Sequence, residues 1–304
     1  MIRTYAIEPQ VASDRMALVL FVEGLGVENG RLLAEFPKSW FRLAVSAAQG
    51  ITPLRDQKRV EERLKKVRVS GFLKVRTGRP FDGTQSWLQN AVTQADGFDA
   101  IIHADDSPAP EPNDRLHPAS SLFDDPPFWR VDRRVTFTST RRALADRLKP
   151  LLALEQSVAI MDPFFNPTQT QYLKGLADII AVMRPNASLV IHASAEVTAG
   201  KQHLTTNEWE AGCRAIPSHV PSHVGSLTIA RWAGGAGVGR PHERWVITPR
   251  GGVELGRGIA IGRQQNTASL MPAQSASELW EAFGQDPYTG RDLELRDVVY
   301  LRAP

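Results

Sequence analysis

Apolar residues recur along this chain with two periods, and the stretches between them are polar or rich in proline and glycine. Leu144, Leu148, Leu151 and Leu152 fall on one side of a helix at 3.6 residues per turn. Ser157 to Met161 is a short apolar run that reads as a buried strand. Asn166 then predicts a helix cap, with Pro167 as the first helical residue. The apolar face of that helix is Tyr172, Leu173, Leu176, Ile179, Ile180 and Met183, and Ser188 to His192 is a second strand. A strand–helix–strand order implies parallel strands joined by a right-handed crossover. Asn207 to Ala215 predicts a further helix, and Leu227 to Trp232 and Glu243 to Ile247 predict strands joined by a glycine-rich loop. The expected product is a mixed sheet flanked by helices over residues 131–304.

The first third is less regular. Asp14 to Val22 predicts a helix closed by Gly24. Trp40, Phe41, Ala44, Val45 and Ala48 give Lys38 to Ala48 a helical spacing. Thr52 to Val67 and Trp87 to Ala95 read as helices and Phe98 to His103 as a short strand. These elements predict a smaller, basic α+β domain over residues 1–104. Between the halves lie Asp105, Asp106, Glu111, Asp114, Asp124 and Asp125, with Pro108, Pro110, Pro112, Pro118, Pro126 and Pro127 among them. That composition predicts a linker or long loop over 105–130.

Composition bounds the class. At 304 residues, 42% hydrophobic and 23% charged, the chain can fill two domains of an ordinary globular protein. No apolar run approaches the roughly 18 residues of a membrane span. The opening Met-Ile-Arg-Thr-Tyr lacks the apolar region of a signal peptide. A single cysteine, Cys213, cannot form an internal disulfide. These features fit a reducing cytoplasm. The net charge of +3 is small but unevenly spread. Residues 52–79 carry Arg55, Lys58, Arg59, Arg63, Lys65, Lys66, Arg68, Lys74, Arg76 and Arg79 against Asp56, Glu61 and Glu62. The cations of the predicted helix are expected around several of its faces. They make either a solvated surface or a track for phosphates, with Lys58, Arg59, Lys65 and Lys66 as the first candidates for nucleic-acid contact. Arg130, Arg133, Arg134, Arg141 and Arg142 form a second basic group.

Three constellations carry possible chemistry. Gly234, Gly235, Gly237 and Gly239 suggest a nucleotide loop, but a strand follows them where a helix N-terminus would be needed, so a lip beside the next strand is expected. Cys213, His219 and His223 suggest zinc, but no fourth ligand is near and Pro221 interrupts the histidine spacing; no metal and no cofactor are expected. The third is Pro241-His242-Glu243-Arg244-Trp245-Val246-Ile247-Thr248, followed by Gly251-Gly252-Val253-Glu254. In a strand His242 and Arg244 would share a face, a nucleophilic imidazole beside a guanidinium matched to phosphate oxygens. The same residues also suit an ordinary half-exposed strand. Asp162 ends its strand where parallel α/β sheets collect functional groups, or else caps the turn that follows.

The His242 segment resembles the phospholipase D superfamily motif His-x-Lys-x4-Asp, with Arg244 in place of the lysine. Ile160-Met161-Asp162-Pro163-Phe164-Phe165 is similar to the Asp-Pro-Tyr-Phe segment that precedes the motif in divergent members, among them the C-terminal module of MIT-domain proteins. The resemblance covers residues 131–304. It implies a phospholipase-D-like fold that acts on or binds nucleic acid, with His242 attacking phosphorus, Arg244 holding the phosphoryl oxygens, and no metal. Two departures stand out. Pro249 occupies the place of the motif's aspartate, for which Asp162 or Glu254 would have to substitute, and the chain has one half-motif where active members combine two. A homodimer or a partner chain would then supply the second histidine. The alternative is an inactive binding or scaffold subunit of a larger bacterial assembly, of the kind found in defence or mobile-element systems.

Overall fold

The computed structural model describes residues 1–69, 74–108, 113–195, 204–234, 242–286, 288 and 293–301. Two compact units divide at Asp132/Arg133: Ile2–Asp132, and Arg133–Pro304 with Met1.

The first unit contains β1 (Arg3–Ile7), α1 (Arg15–Gly24), β2 (Arg31–Glu35), α2 (Trp40–Ala48), α3 (Leu54–Val69), β3 (Lys74–Arg76), α4 (Trp87–Thr93), β4 (Ala100–His103) and β5 (Leu116–Pro118). Its five strands are all parallel, in the order β3-β2-β1-β4-β5. This corrects the α+β expectation. Parallel neighbours need long crossovers, and helices supply them for every pair except β4–β5, whose connection holds no helix among the described residues. Such strands are covered on both faces and so lack alternation: all four residues of β4 are buried, as are Leu32, Leu33 and Ala34 of β2. β1, β2, β3 and β5 were not anticipated, because three to five residues without a polar–apolar alternation carry little signal.

The segment expected as a linker belongs to this unit. It contributes β5 and places Ala119, Leu122 and Trp129 in a core with Tyr5, Phe21 and Trp40. Polar groups fasten it: Tyr5 Oη donates to the Phe128 carbonyl at 2.9 Å, and Arg31 Nε donates to the Trp129 carbonyl at 2.7 Å. Pro126 opens a turn, its carbonyl accepting from the Trp129 backbone N–H at 2.9 Å. Glu111, Pro110 and Pro112 lie outside the described residues.

The second unit contains β6 (Arg134–Thr138), α5 (Ala143–Leu152), β7 (Ser157–Met161), α6 (Thr170–Ile180), β8 (Ser188–Ser194), α7 (Thr206–Ala215), β9 (Ser226–Gly234), β10 (Trp245–Thr248), β11 (Gly251–Leu255), β12 (Gln265–Leu270), α8 (Ala273–Phe283) and β13 (Leu293–Leu301). They form an eight-stranded mixed sheet, β13-β9-β8-β7-β10-β11-β12-β6, flanked by helices. β7, β8 and β9 are parallel, as the strand–helix–strand reading implies, and the remaining pairs are antiparallel. Along β7 the side chains alternate: Ala159 and Met161 join Trp232, Trp245, Ile247 and the α8 residues Leu279 and Phe283, while Val158 and Ile160 are buried on the other side.

Two boundaries differ from the sequence reading. α6 starts at Thr170, not at Pro167. Asn166 instead closes a turn, its Oδ1 accepting from the Thr168 backbone N–H at 2.9 Å and from Thr168 Oγ1 at 2.8 Å. β10 starts at Trp245, so His242 and Glu243 precede the strand.

Candidate functional site

The site is built at the C-terminal end of β7. Asp162 follows the strand and is 1% exposed. One of its carboxylate oxygens accepts from the Ile259 backbone N–H at 2.9 Å, the other from the Phe164 N–H at 3.1 Å. Gly258 makes the first contact possible. Its φ is +70°, and a Cβ there would lie 2.0 Å from an Asp162 carboxylate oxygen. Asn266, also buried, holds the same loop by accepting from the Arg257 N–H at 2.8 Å and donating to the Gly258 carbonyl at 3.1 Å. Burial dominates Asp162 and pushes its pKa up to about 6, against the opposing pull of the two amides and Arg244.

Around this anchor lies a cavity of about 420 Å³. Phe164 and Tyr172 are among its apolar walls, Ser139, Gln171 and Gln264 among its neutral polar ones, and Arg244, Arg257 and Arg263 bring three guanidinium groups to it. None of the described lining residues is acidic. Arg244 lies over the Phe164 ring at 4.4 Å and donates to the Gly256 carbonyl at 3.1 Å, which fixes its head at the wall. Arg257 donates to Gln264. Tyr172 is buried, and its pKa is raised well above that of a free phenol, first by burial and then by the neighbouring Asp162 charge. It therefore stays protonated and able to donate. Three guanidinium groups, a phenol and two amides line this partly enclosed space, a chemistry suited to an anion, since guanidinium forks match phosphate or carboxylate oxygens.

The candidate residues divide between this cavity and elsewhere. Arg244 lines the cavity, and Asp162 lies behind its wall, holding the Phe164 turn and the Arg257 loop together without lining the space. His242 is exposed and is not among the lining residues. Glu254 cannot take the place of the missing aspartate. It pairs in register with Trp245, and cross-strand partners share a face, so it lies on the α8 side while Arg244, one residue earlier, lies on the Asp162 side. Pro249 sits in the turn between β10 and β11. Arg257, Arg263 and Tyr172 were missed as site residues. Their only sequence signal is two arginines flanking Gly258, Ile259, Ala260, Ile261 and Gly262, and nothing in that spacing points to Arg244.

The remaining motifs fall elsewhere. Gly235, Gly237 and Gly239 lie outside the described residues, and Gly234 ends β9. No three metal-ligating side chains converge among the described residues. Cys213 is buried, which pushes its thiol up to about 12, and His223 Nε2 lies 2.8 Å from the Ile180 carbonyl. No helix among the described residues is long and apolar enough to cross a membrane. The seven cations of α3 span an arc of about 220°, with Arg63 and Arg68 at its edges, so they spread over more than one face as their spacing predicts. At 100° per residue, Arg55, Lys58, Arg59, Lys65 and Lys66 fall within an arc of about 120°, all exposed, opposite the buried Val60, Leu64 and Val67.

No protein-family model matches this chain, and no curated protein matches it.

Proposed function

We propose that the second unit is a phospholipase-D-like module that holds a phosphate group in the Arg244 cleft, and that nucleic acid supplies that phosphate. The observation that carries this reading is the cluster of Arg244, Arg257 and Arg263 on one cavity with no acidic group among its described lining residues. The position of Arg244, beside a strand that pairs with the Asp162 strand, is consistent with the family resemblance.

Binding without turnover is the form the site favours. Hydrolysis would require His242 to attack phosphorus and a second group to protonate the leaving oxygen. No histidine is among the described lining residues, and Asp162 has both oxygens committed to backbone amides. A phosphohistidine route therefore needs a second copy of this chain, or a partner chain, to bring a histidine to the cleft.

The test is binding of a short 5′-phosphorylated oligonucleotide. A charged hydrogen bond contributes about 1.5–3 kcal/mol, so Arg244→Ala should weaken binding by about ten- to a hundredfold. Arg244→Lys, which keeps the charge and loses the fork, should fall between. Unchanged binding in both Arg244→Ala and Arg257→Ala would exclude the cleft. In chelator, phosphodiester turnover is expected to be absent. Turnover that rises with protein concentration and vanishes in His242→Ala would replace the binding reading with the shared-site hydrolytic one.

A further inference from the structure

We infer that the first unit carries its own track for a single nucleic-acid strand, in which the cationic side of α3 continues into a groove formed with α2. This surface lies on a different unit from the Arg244 cleft and does not rest on the reading of that cleft.

The α3 side from Arg55 to Lys66 spans about 16 Å at 1.5 Å per residue. One acid interrupts it, Glu62, which is held by Lys65 Nζ at 2.6 Å. Arg59 shares Asp56 with Arg15, at 3.6 and 2.9 Å. At the C-terminal end of α3 the exposed Arg68 leads into a groove of about 860 Å³ that Lys38 and Arg42 also line, with the Glu35 carboxylate as its acidic member. Arg68 lies over the Phe41 ring at 5.1 Å, so a flat cationic plane backed by an aromatic ring faces the groove. Lys38 lies in the turn just before α2 and Arg42 in its first turn.

Each part of this arrangement suits a strand. Cations in a row track phosphates, and guanidinium planes and rings accept unstacked bases without reading sequence. The groove is recessed, so a base can enter it while the backbone follows α3. A flat bilayer would meet the convex helix and leave the groove empty.

The experiment is fluorescence anisotropy of a labelled oligo-dT strand against the full chain over a series of salt concentrations. Single-strand binding loses about 0.7 in the slope of log affinity on log salt for each phosphate contact removed. The variant Lys38→Ala/Arg42→Ala/Arg68→Ala should therefore bind more weakly, with the slope reduced by about two. Arg42→Lys/Arg68→Lys should retain the slope, which separates lost charge from lost folding. A triple alanine variant that melts like the parent and keeps its affinity and slope would overturn the groove assignment. Strand binding abolished by Arg244→Ala/Arg257→Ala/Arg263→Ala but untouched by every α2 and α3 variant would overturn the track as a whole. Binding of phosphatidylserine vesicles but not of oligo-dT, lost in the same α2 and α3 variants, would reassign the surface to a membrane.

Discussion

Asp162 and His192 are both buried, and their acid–base equilibria are displaced in directions that oppose one another during folding. His192, on β8, has no exposed surface; its Nδ1 accepts from Trp232 Nε1 at 2.9 Å, so Nε2 carries the proton toward the Phe283 carbonyl at 2.8 Å. Burial lowers its pKa to about 3. The unfolded chain would bind a proton near 6.5 that the folded chain refuses until about 3, so acidification across that window destabilises, by about 5 kcal/mol at its end. Asp162 acts the other way. Folded, it binds a proton near 6, whereas the unfolded carboxylate binds one near 3.9, so acidification from 6 to 4 stabilises by about 3 kcal/mol. The two effects partly cancel between pH 4 and 6, and only the histidine acts below 4. Asp162→Asn should remove the compensation. Denaturant melts across that window are expected to fall more steeply with acid in the variant than in the parent; parallel curves would mean that Asp162 does not titrate there.

At the scale of elements, the loops that carry the cleft depend on close approach. Gly258→Ala places a β-carbon against Asp162 in a left-handed conformation that side chains resist, so a loss of about 2 kcal/mol or more is expected. Oligonucleotide binding should weaken with it, because Arg257 sits on the displaced turn. Gly262→Ala, four residues on, meets open space and should change stability by less than about 0.5 kcal/mol. Equal melting temperatures for the two variants would contradict the role given to the Asp162–Ile259 contact. Helix starts show how local signals succeed or fail. Thr205 and Glu208 form a reciprocal capping box, so α7 begins next to the position its sequence predicts. Asn166 carries an equally good capping side chain, but its oxygen is taken by Thr168 in a turn, and α6 begins later.

At the scale of the whole molecule, the division lies at Asp132/Arg133 and not at the acidic, proline-rich stretch. A fragment of residues 1–132 keeps Ala119, Leu122 and Trp129 in its core and β5 at its sheet edge, so it should melt cooperatively. A fragment of residues 1–104 loses three buried side chains, among them a tryptophan, and exposes the β4 edge. Removing large core groups costs about 2–5 kcal/mol each, comparable to the whole stability of a domain this size. It is expected to show no cooperative transition by circular dichroism. A fragment of residues 1–104 that melts like 1–132 would restore the linker reading.

The sequence by itself determined those elements whose side chains report their own surroundings. The apolar faces of α5 and α6 and the buried runs of β7 and β8 follow from period alone, and the parallel β7–β8 pairing follows from their connection. The resemblance, not the period, suggested Asp162 as a partner for Arg244, and the β7–β10 pairing is what brings their strands together. The tertiary structure decided everything that depends on register between distant segments. Trp245 opposite Glu254 puts that acid on the far face, Ile259 opposite Asp162 turns a suspected site acid into an anchor, and the β11–β12 loop brings Arg257 and Arg263 beside Arg244. It also decided that β4 is flanked by β1 and β5, which turned an apparent linker into part of a core. The physical reason is the same in each case. Periodicity encodes which side of an element is buried, whereas a site is made of groups whose proximity is set by strand pairing and loop closure, and neither leaves a periodic trace in the chain.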